Sequence, residues 1–274
     1  MSKRSKSKRR MQRALIAVPI AAVSVVALAG SANAHYVYER AELWVSGNGK
    51  HCMTNRSEVS HGTDNRGYAK GDVTSWMDLN SIPTDCQHQY KRPAGHLRDG
   101  IAIYKWNGTD WYKCKWTTEW FANTSNTAKF ELEWPAKDLS WGCGEGWYGT
   151  MNFATMTYNA ESIFPNGVPG LWSGAHSGLK GISEEPPPPP DWVDDDGVAT
   201  PEATPDKVEI VDSEGRVVIG DDGKPVKVDT APESPTEANT TYGGKRSTST
   251  DEEGNVTETA EIGLTSPVAS SSTL

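Results

Sequence analysis

From His35 to Val45 the chain alternates with the period of a β-strand. Tyr36, Tyr38 and Trp44 share one parity with Arg40 and Glu42, while Val37, Ala41, Leu43 and Val45 share the other with Glu39. Ser46-Gly47-Asn48-Gly49 is a turn cluster, and His51 to Val59 reads as a returning strand. Residues 60–75, punctuated by Gly62, Asp64, Gly67 and Gly71, read as a loop. The strongest signal is a hairpin in which Ile101 to Trp106 leads through Asn107-Gly108-Thr109-Asp110 into Trp111 to Trp116. A four-residue loop sets Trp106 opposite Trp111 and Tyr104 opposite Lys113, and the aromatic pair contributes up to about 1 kcal/mol. In that register Trp106 and Trp111 share one face and Trp116 falls on the other. Lys129 to Trp134 puts Phe130, Leu132 and Trp134 on one side and Lys129, Glu131 and Glu133 on the other, the pattern of a sheet with one wet face. Tyr148 to Tyr158, rich in Thr, Met and aromatic residues, is a further strand. No window between residues 35 and 182 carries a sustained 3.6-residue apolar stripe. The predicted fold class is therefore all-β, an antiparallel β-sandwich or barrel.

The ends of the chain follow other patterns. Seven basic residues between Lys3 and Arg13 precede an apolar run, Ala14 to Ala29, and Ala32-Asn33-Ala34 supplies the small residues of a signal-peptidase site. Residues 1–34 read as a signal peptide cut before His35, and the apolar run is shorter than the roughly 20 residues of a spanning helix. Residues 183–206 form a Pro-rich acidic linker whose Pro186–Pro190 run favours a stiff polyproline II spacer. Residues 207–274 read as an acidic, low-complexity tail, disordered apart from marginal β-hairpins around Val208–Val228.

Charge divides along the same boundaries. The chain carries a formal charge of −9, but residues 183–274 hold 21 Asp/Glu against six Lys/Arg. Residues 35–182 are close to neutral, with 14 basic and 15 acidic side chains, which argues against nucleic acid as a partner. With the signal removed, no segment is suited to stable membrane insertion.

Cys52, Cys86, Cys114 and Cys143 are an even set in a chain read as exported, so two disulfides are expected. Of three possible pairings, the sequential one, Cys52–Cys86 and Cys114–Cys143, closes two local loops. Each such closure contributes roughly 3–4 kcal/mol through the unfolded state.

Chemistry-bearing motifs are sparse. H-E-x-x-H, G-x-S-x-G and a P-loop are all absent, and no catalytic residue is assigned. Ten of the 11 Trp lie between residues 35 and 182, and Trp106, Trp111, Trp116, Trp120, Trp141 and Trp147 are candidate stacking aromatics for a polysaccharide or cell-wall polymer. The alternative for these rings is core filling. Cleavage before His35 would leave an α-amine beside an imidazole, the chelate of copper-dependent lytic polysaccharide oxygenases. His176 is then the candidate second copper ligand, since imidazole and amine nitrogens suit Cu(II). Without copper, no cofactor is implied.

The mature start His35-Tyr36-Val37-Tyr38-Glu39-Arg40, with Arg56-Ser57-Glu58-Val59-Ser60-His61-Gly62 and Tyr148-Gly149-Thr150-Met151, resembles a set of small secreted proteins of filamentous actinobacteria, over residues 35–180. That resemblance implies export and a β fold. The group has no assigned activity, so no functional residue is carried over. The expectation is a secreted, extracellular binding or structural module, with a copper oxidase and a secreted toxin or inhibitor as the competing classes.

Overall fold

The computed structural model describes residues 36–61, 67–77, 86–136, 141–159, 161–162, 169–177, 185–235, 237–240, 244–263 and 268–270. Residues 1–34, read from the sequence as a signal peptide, and His35 lie outside these. Every regular element among the described residues is a strand. In chain order they are β1 (Tyr36–Val45), β2 (His51–His61), β3 (Gly67–Met77), β4 (His88–Gln89), β5 (Leu97–Trp106), β6 (Trp111–Thr117), β7 (Phe121–Ala122), β8 (Lys129–Ala136) and β9 (Trp147–Tyr158). There follow β10 (Glu161–Ser162), β11 (Gly170–Trp172), β12 (His176–Ser177), β13 (Val198–Ala199), β14 (Lys207–Glu209), β15 (Lys227–Asp229), β16 (Lys245–Thr250), β17 (Val256–Glu261) and β18 (Val268–Ser270).

Two sheets pack face to face. Sheet one runs β1-β2-β3-β8-β17-β16, with β4 on β3, and sheet two runs β13-β11-β9-β5-β6-β18, with β7, β10 and β12 attached. Their inner faces meet in a core of Met53, Val59, Val73, Leu97, Ile101, Ile103, Phe130, Leu132 and Met156. The pairing is antiparallel except that β17 runs parallel to β8. A long excursion separates β8 from the β16–β17 hairpin, so no tight turn fixes how β17 runs against β8.

The disulfides are the sequential pair, Cys52–Cys86 and Cys114–Cys143, spanning 34 and 29 residues. The predicted hairpin also forms, with Trp106 opposite Trp111 and Tyr104 opposite Lys113. One residue further in, the register shifts, leaving Cys114 as an additional residue on β6. The bulge turns Cys114 toward the inter-sheet core and returns Trp116 to the face that carries Trp111, so the expected split of the two rings is corrected. A second bulge between Glu42 and Trp44 does the same on β1. Tyr38 and Arg40 stay outside, while Trp44 turns in against Tyr158 at 5.1 Å.

The loop expected over residues 60–75 is instead largely strand, because Gly67–Met77 is β3 at the centre of sheet one. Its Gly71 is required by close approach rather than by turning. A methyl group at Gly71 would meet Asn152 Oδ1 at 1.7 Å. Asn152 belongs to a buried polar seam between the sheets. Its Nδ2 donates to Asn55 Oδ1 (2.7 Å) and to Asp99 Oδ2 (3.3 Å), and Asn55 Nδ2 donates back to the Asn152 carbonyl (2.9 Å). Burial holds the Asp99 carboxyl protonated well above the usual carboxylate range; the Asn152 bond opposes this and the nearby Asp72 charge adds to it.

Beyond residue 183, where a linker and an acidic tail are expected, the described residues include buried and strand-paired positions. Val208, Ile210, Val211, Ala260 and Ile262 are buried, and β13, β16, β17 and β18 extend the two sheets. Three of the aspartates serve turns. Asp194, Asp212 and Asp251 each open a hairpin turn closed by a glycine at φ +76°, +78° and +83° (Gly197, Gly215, Gly254). Each Asp Oδ1 accepts from the backbone beyond that glycine: Val198 N at 2.8 Å, Arg216 N at 2.9 Å and Asn255 N at 2.7 Å. Glu258, on the inner side of β17, accepts from Thr124 and Ser125, backbone and hydroxyl alike, at 2.6–3.0 Å, and from Arg246 at 2.8 Å. Burial alone would raise its pKa, but the Ser125 and Thr124 bonds outweigh burial and hold it low.

Two outcomes follow. Replacing both Cys114 and Cys143 by Ser should cost about 3 kcal/mol in denaturant unfolding. Asp99→Asn should stabilise the protein at neutral pH, since unfolded Asp99 releases a proton that the folded chain retains. That gain should shrink to nothing below about pH 4, where both states are protonated.

Candidate functional site

The two outward faces of the sandwich differ sharply. On sheet two, the outer parity of β5, β6 and β9 gathers Ala102, Tyr104, Trp111, Trp116, Met151 and Phe153, joined by Trp120 and Trp172. Ring centroids lie 4.8 Å apart for Trp111–Trp172 and 5.5 Å for Trp106–Trp111. This aromatic layer is covered by residues 186–240. Trp111 Nε1 donates to the Pro188 carbonyl at 2.6 Å, Trp120 Nε1 to the Pro232 carbonyl at 3.2 Å, and Trp192 lies 6.1 Å from Tyr104. Pro232 sits against Gly100, where a methyl group would approach within 2.7 Å. The polyproline run is thus anchored to Trp111 through the Pro188 carbonyl, with Pro190 buried and Pro186, Pro188 and Pro189 exposed.

Lys113 fixes the cover. It points from β6 into this layer, is 1% exposed, and donates from Nζ to the carbonyls of Asp229 (2.6 Å) and Thr230 (2.7 Å). Its amine lies 5.5 Å from the Trp116 ring. Burial lowers its pKa to about 7, with Asp229 opposing.

The predicted aromatics therefore do not form one open platform. Trp111, Trp116 and Trp120 are buried under the chain's own segment, and Trp106 and Trp147 are half-buried in the same cluster. Trp141 is buried in the inter-sheet core, 5.2 Å from Tyr148. His176 is buried on β12 opposite Tyr148, and its proposed copper partner His35 lies outside the described residues. Among the described residues the one metal-type grouping is Glu42, Cys52 and Cys86, whose sulfurs are bonded to each other and are not thiolate ligands.

The outer face of sheet one is open. Register aligns Tyr38 with Glu58 and Lys70, Arg40 with Arg56 and Asp72, and continues onto Glu131 and Glu133 of β8. Tyr38 is 47% exposed, the highest value of any described aromatic ring. Each ring here carries a cation across one side: the Arg40 guanidinium is 4.6 Å from Trp76, Arg56 is 4.9 Å from Tyr38, and Lys70 is 5.6 Å from Tyr68. Carboxylates complete the lattice, with Arg56 paired to Glu58, Lys70 to Glu133 at 3.1 Å and Lys129 to Asp72 at 3.0 Å. Burial would lower the Lys70 pKa, but Glu133 and Glu131 raise it above the ordinary lysine value. Trp76 Nε1 donates to Thr54 Oγ1 at 2.7 Å, which ties its ring to β2. The parity of Tyr38 with Arg40 was readable in the sequence. Tyr68 was hidden because the glycine-rich part of β3 read as loop, and Trp76 lay just beyond that loop with no strand assigned to it.

One end of the sandwich holds a third cluster. The Arg92 guanidinium lies 4.7 Å from the Tyr90 ring and 5.5 Å from Tyr158, and donates to Ser75 Oγ at 2.9 Å. His51 Nδ1 is 3.3 Å from Arg92 Nη2 and must accept, so the imidazole is neutral; burial and then the Arg92 charge lower its pKa. This cluster ties β4 and its flank to the sheets beside the first disulfide.

No protein-family model, curated protein or solved structure matches the chain. The class that fold and site define is a two-disulfide β-sandwich with one tryptophan face covered by its own acidic segment and one charged aromatic face open.

The Lys113 latch has a pH signature. Between about pH 7 and 10 the unfolded lysine holds a proton that the folded one lacks, so wild-type stability should rise relative to Lys113→Met as pH increases through that window. The slope should approach about 1.4 kcal/mol per pH unit in chemical unfolding, and a flat difference would show that the amine is not desolvated.

Proposed function

We propose that the protein is an exported binding module that holds a polysaccharide or cell-wall polymer across the outer face of sheet one. Two disulfides suit an oxidising compartment, and the basic-apolar-small pattern of residues 1–34 suits export. Among the described residues no helix is long and apolar enough to cross a membrane.

The observation that carries the reading is the exposed Tyr38 residue on a broad sheet surface, beside Arg40, Arg56 and Glu58, with Trp76 further along the same face under the Arg40 guanidinium. Sugar rings present apolar C–H faces that stack on aromatic rings and hydroxyls that pair with guanidinium and carboxylate groups. A flat lattice of both kinds suits an extended polymer lying across strands better than a small molecule, which calls for a concave pocket.

Retention on insoluble chitin, cellulose and peptidoglycan tests this. One of the three should retain the protein, and Tyr38→Ala with Trp76→Ala together should weaken retention about thirtyfold, as each stacked ring contributes on the order of 1 kcal/mol. Retention unchanged by the double substitution, or no retention on any matrix, would contradict the assignment.

A further inference from the structure

Arg92, in the stretch between β4 and β5, is a buried cation with no carboxylate beside it. It is 8% exposed, and among the described residues no carboxylate oxygen lies within 4.0 Å of its guanidinium. Lys70, Lys129 and Arg246 differ, since each meets a carboxylate at 2.8–3.1 Å. Arg92 Nε donates to Ser75 Oγ and Nη2 to His51 Nδ1, and its other N–H groups make no hydrogen bond among the described residues. A charge taken out of water without a counterion is costly, and ring faces on Tyr90 and Tyr158 offset only part of that cost. Burial accordingly lowers the Arg92 pKa, with the two tyrosines opposing.

The neighbours add to the positive field instead of cancelling it. His51 has its pKa lowered by burial, then by the Arg92 and Lys50 charges, and His96 by burial, then by Arg98 and Arg92. Because His51 Nδ1 accepts from Arg92, its proton sits on Nε2, a donor with no partner among the described residues. The backbone around the guanidinium is already fixed. Tyr90 N donates to the Ser75 carbonyl at 2.8 Å, Arg92 N to Thr127 at 2.7 Å, and Thr127 N back to Arg92 at 3.1 Å. Asn123 Nδ2 holds the Pro93 carbonyl at 2.9 Å. A ligand arriving here meets a cation whose position costs little further ordering.

We propose that this end of the sandwich binds an oxyanion, a carboxylate or phosphate group carried on a sugar or polyol. The guanidinium is its charge partner, since a planar fork of N–H donors matches the paired oxygens of either group. His51 Nε2 supplies a second donor, and Tyr90, 37% exposed, stands at the rim beside the rest of the ligand. One buried guanidinium suits a single acidic group and not a run of charges. The inference is independent of what the outer face of sheet one binds.

Inorganic phosphate and glucuronate, titrated separately into the folded full chain and followed by NMR, test it. At least one should bind saturably, with the largest shifts at His51, Tyr90 and Arg92. Phosphate alone would assign a phosphate group as the ligand, and glucuronate alone a sugar carboxylate. Arg92→Lys keeps the charge but loses the fork, and should weaken binding about tenfold. Lys50→Glu reverses a charge beside His51 at an exposed position and should weaken binding about threefold, which keeps the test open if the first variant fails to fold. Unsaturable shifts with both probes, or saturable binding that neither substitution weakens, would overturn the proposal.

Discussion

Sheet two is apolar on both sides, and the rest of the architecture depends on how its second side is kept from water. Taking a large apolar side chain out of water contributes about 1.5–3 kcal/mol. Tyr104, Trp111, Trp116 and Trp120 together therefore represent roughly 10 kcal/mol, comparable with the whole net stability of a typical domain. A chain with this face bare would be only marginally stable and prone to association. The segment after residue 185 covers the face, and backbone carbonyls of Pro188, Asp229, Thr230 and Pro232 accept from the Trp111, Lys113 and Trp120 donors.

This arrangement gives the molecule two unlike surfaces. The covered side spends its aromatic rings on cohesion. The open side of sheet one keeps Tyr38, Tyr68 and Trp76 in a lattice of cations and carboxylates at or near the surface. That asymmetry is why the binding reading moves from the tryptophan-rich hairpin to the neighbouring sheet. Between the layers, the seam of Asn55, Asp99 and Asn152 couples the sheets through directional bonds, which fixes their mutual register more narrowly than apolar packing alone.

The strands with regular alternation were legible in the sequence, as were the disulfide pairing and the register of Trp106 with Trp111. What escaped were features that break a local rule for a non-local reason. Gly71 reads as loop until Asn152 is seen to need its space. The parity of Trp116 inverts because Cys114 is the additional residue of a bulge, and a single inserted residue reverses every side chain beyond it. The acidic segment reads as disordered because composition counts charges without regard to position. Asp194, Asp212 and Asp251 are turn-forming, and the few apolar residues between them, such as Val208 and Ile210, meet a ready-made aromatic surface. The open face was half visible, through Tyr38 and Arg40, and half concealed by the misread β3.

The central claim is that the acidic segment closes the tryptophan face in solution, and the indole N–H groups of Trp111 and Trp120 report on it directly. Hydrogen exchange of those two groups, followed by NMR on the intact chain, should be slowed by orders of magnitude relative to a free indole, because each donates to a proline carbonyl of the segment. Exchange of both at the rate of a solvent-exposed indole would mean that the face stands open and that the account is wrong.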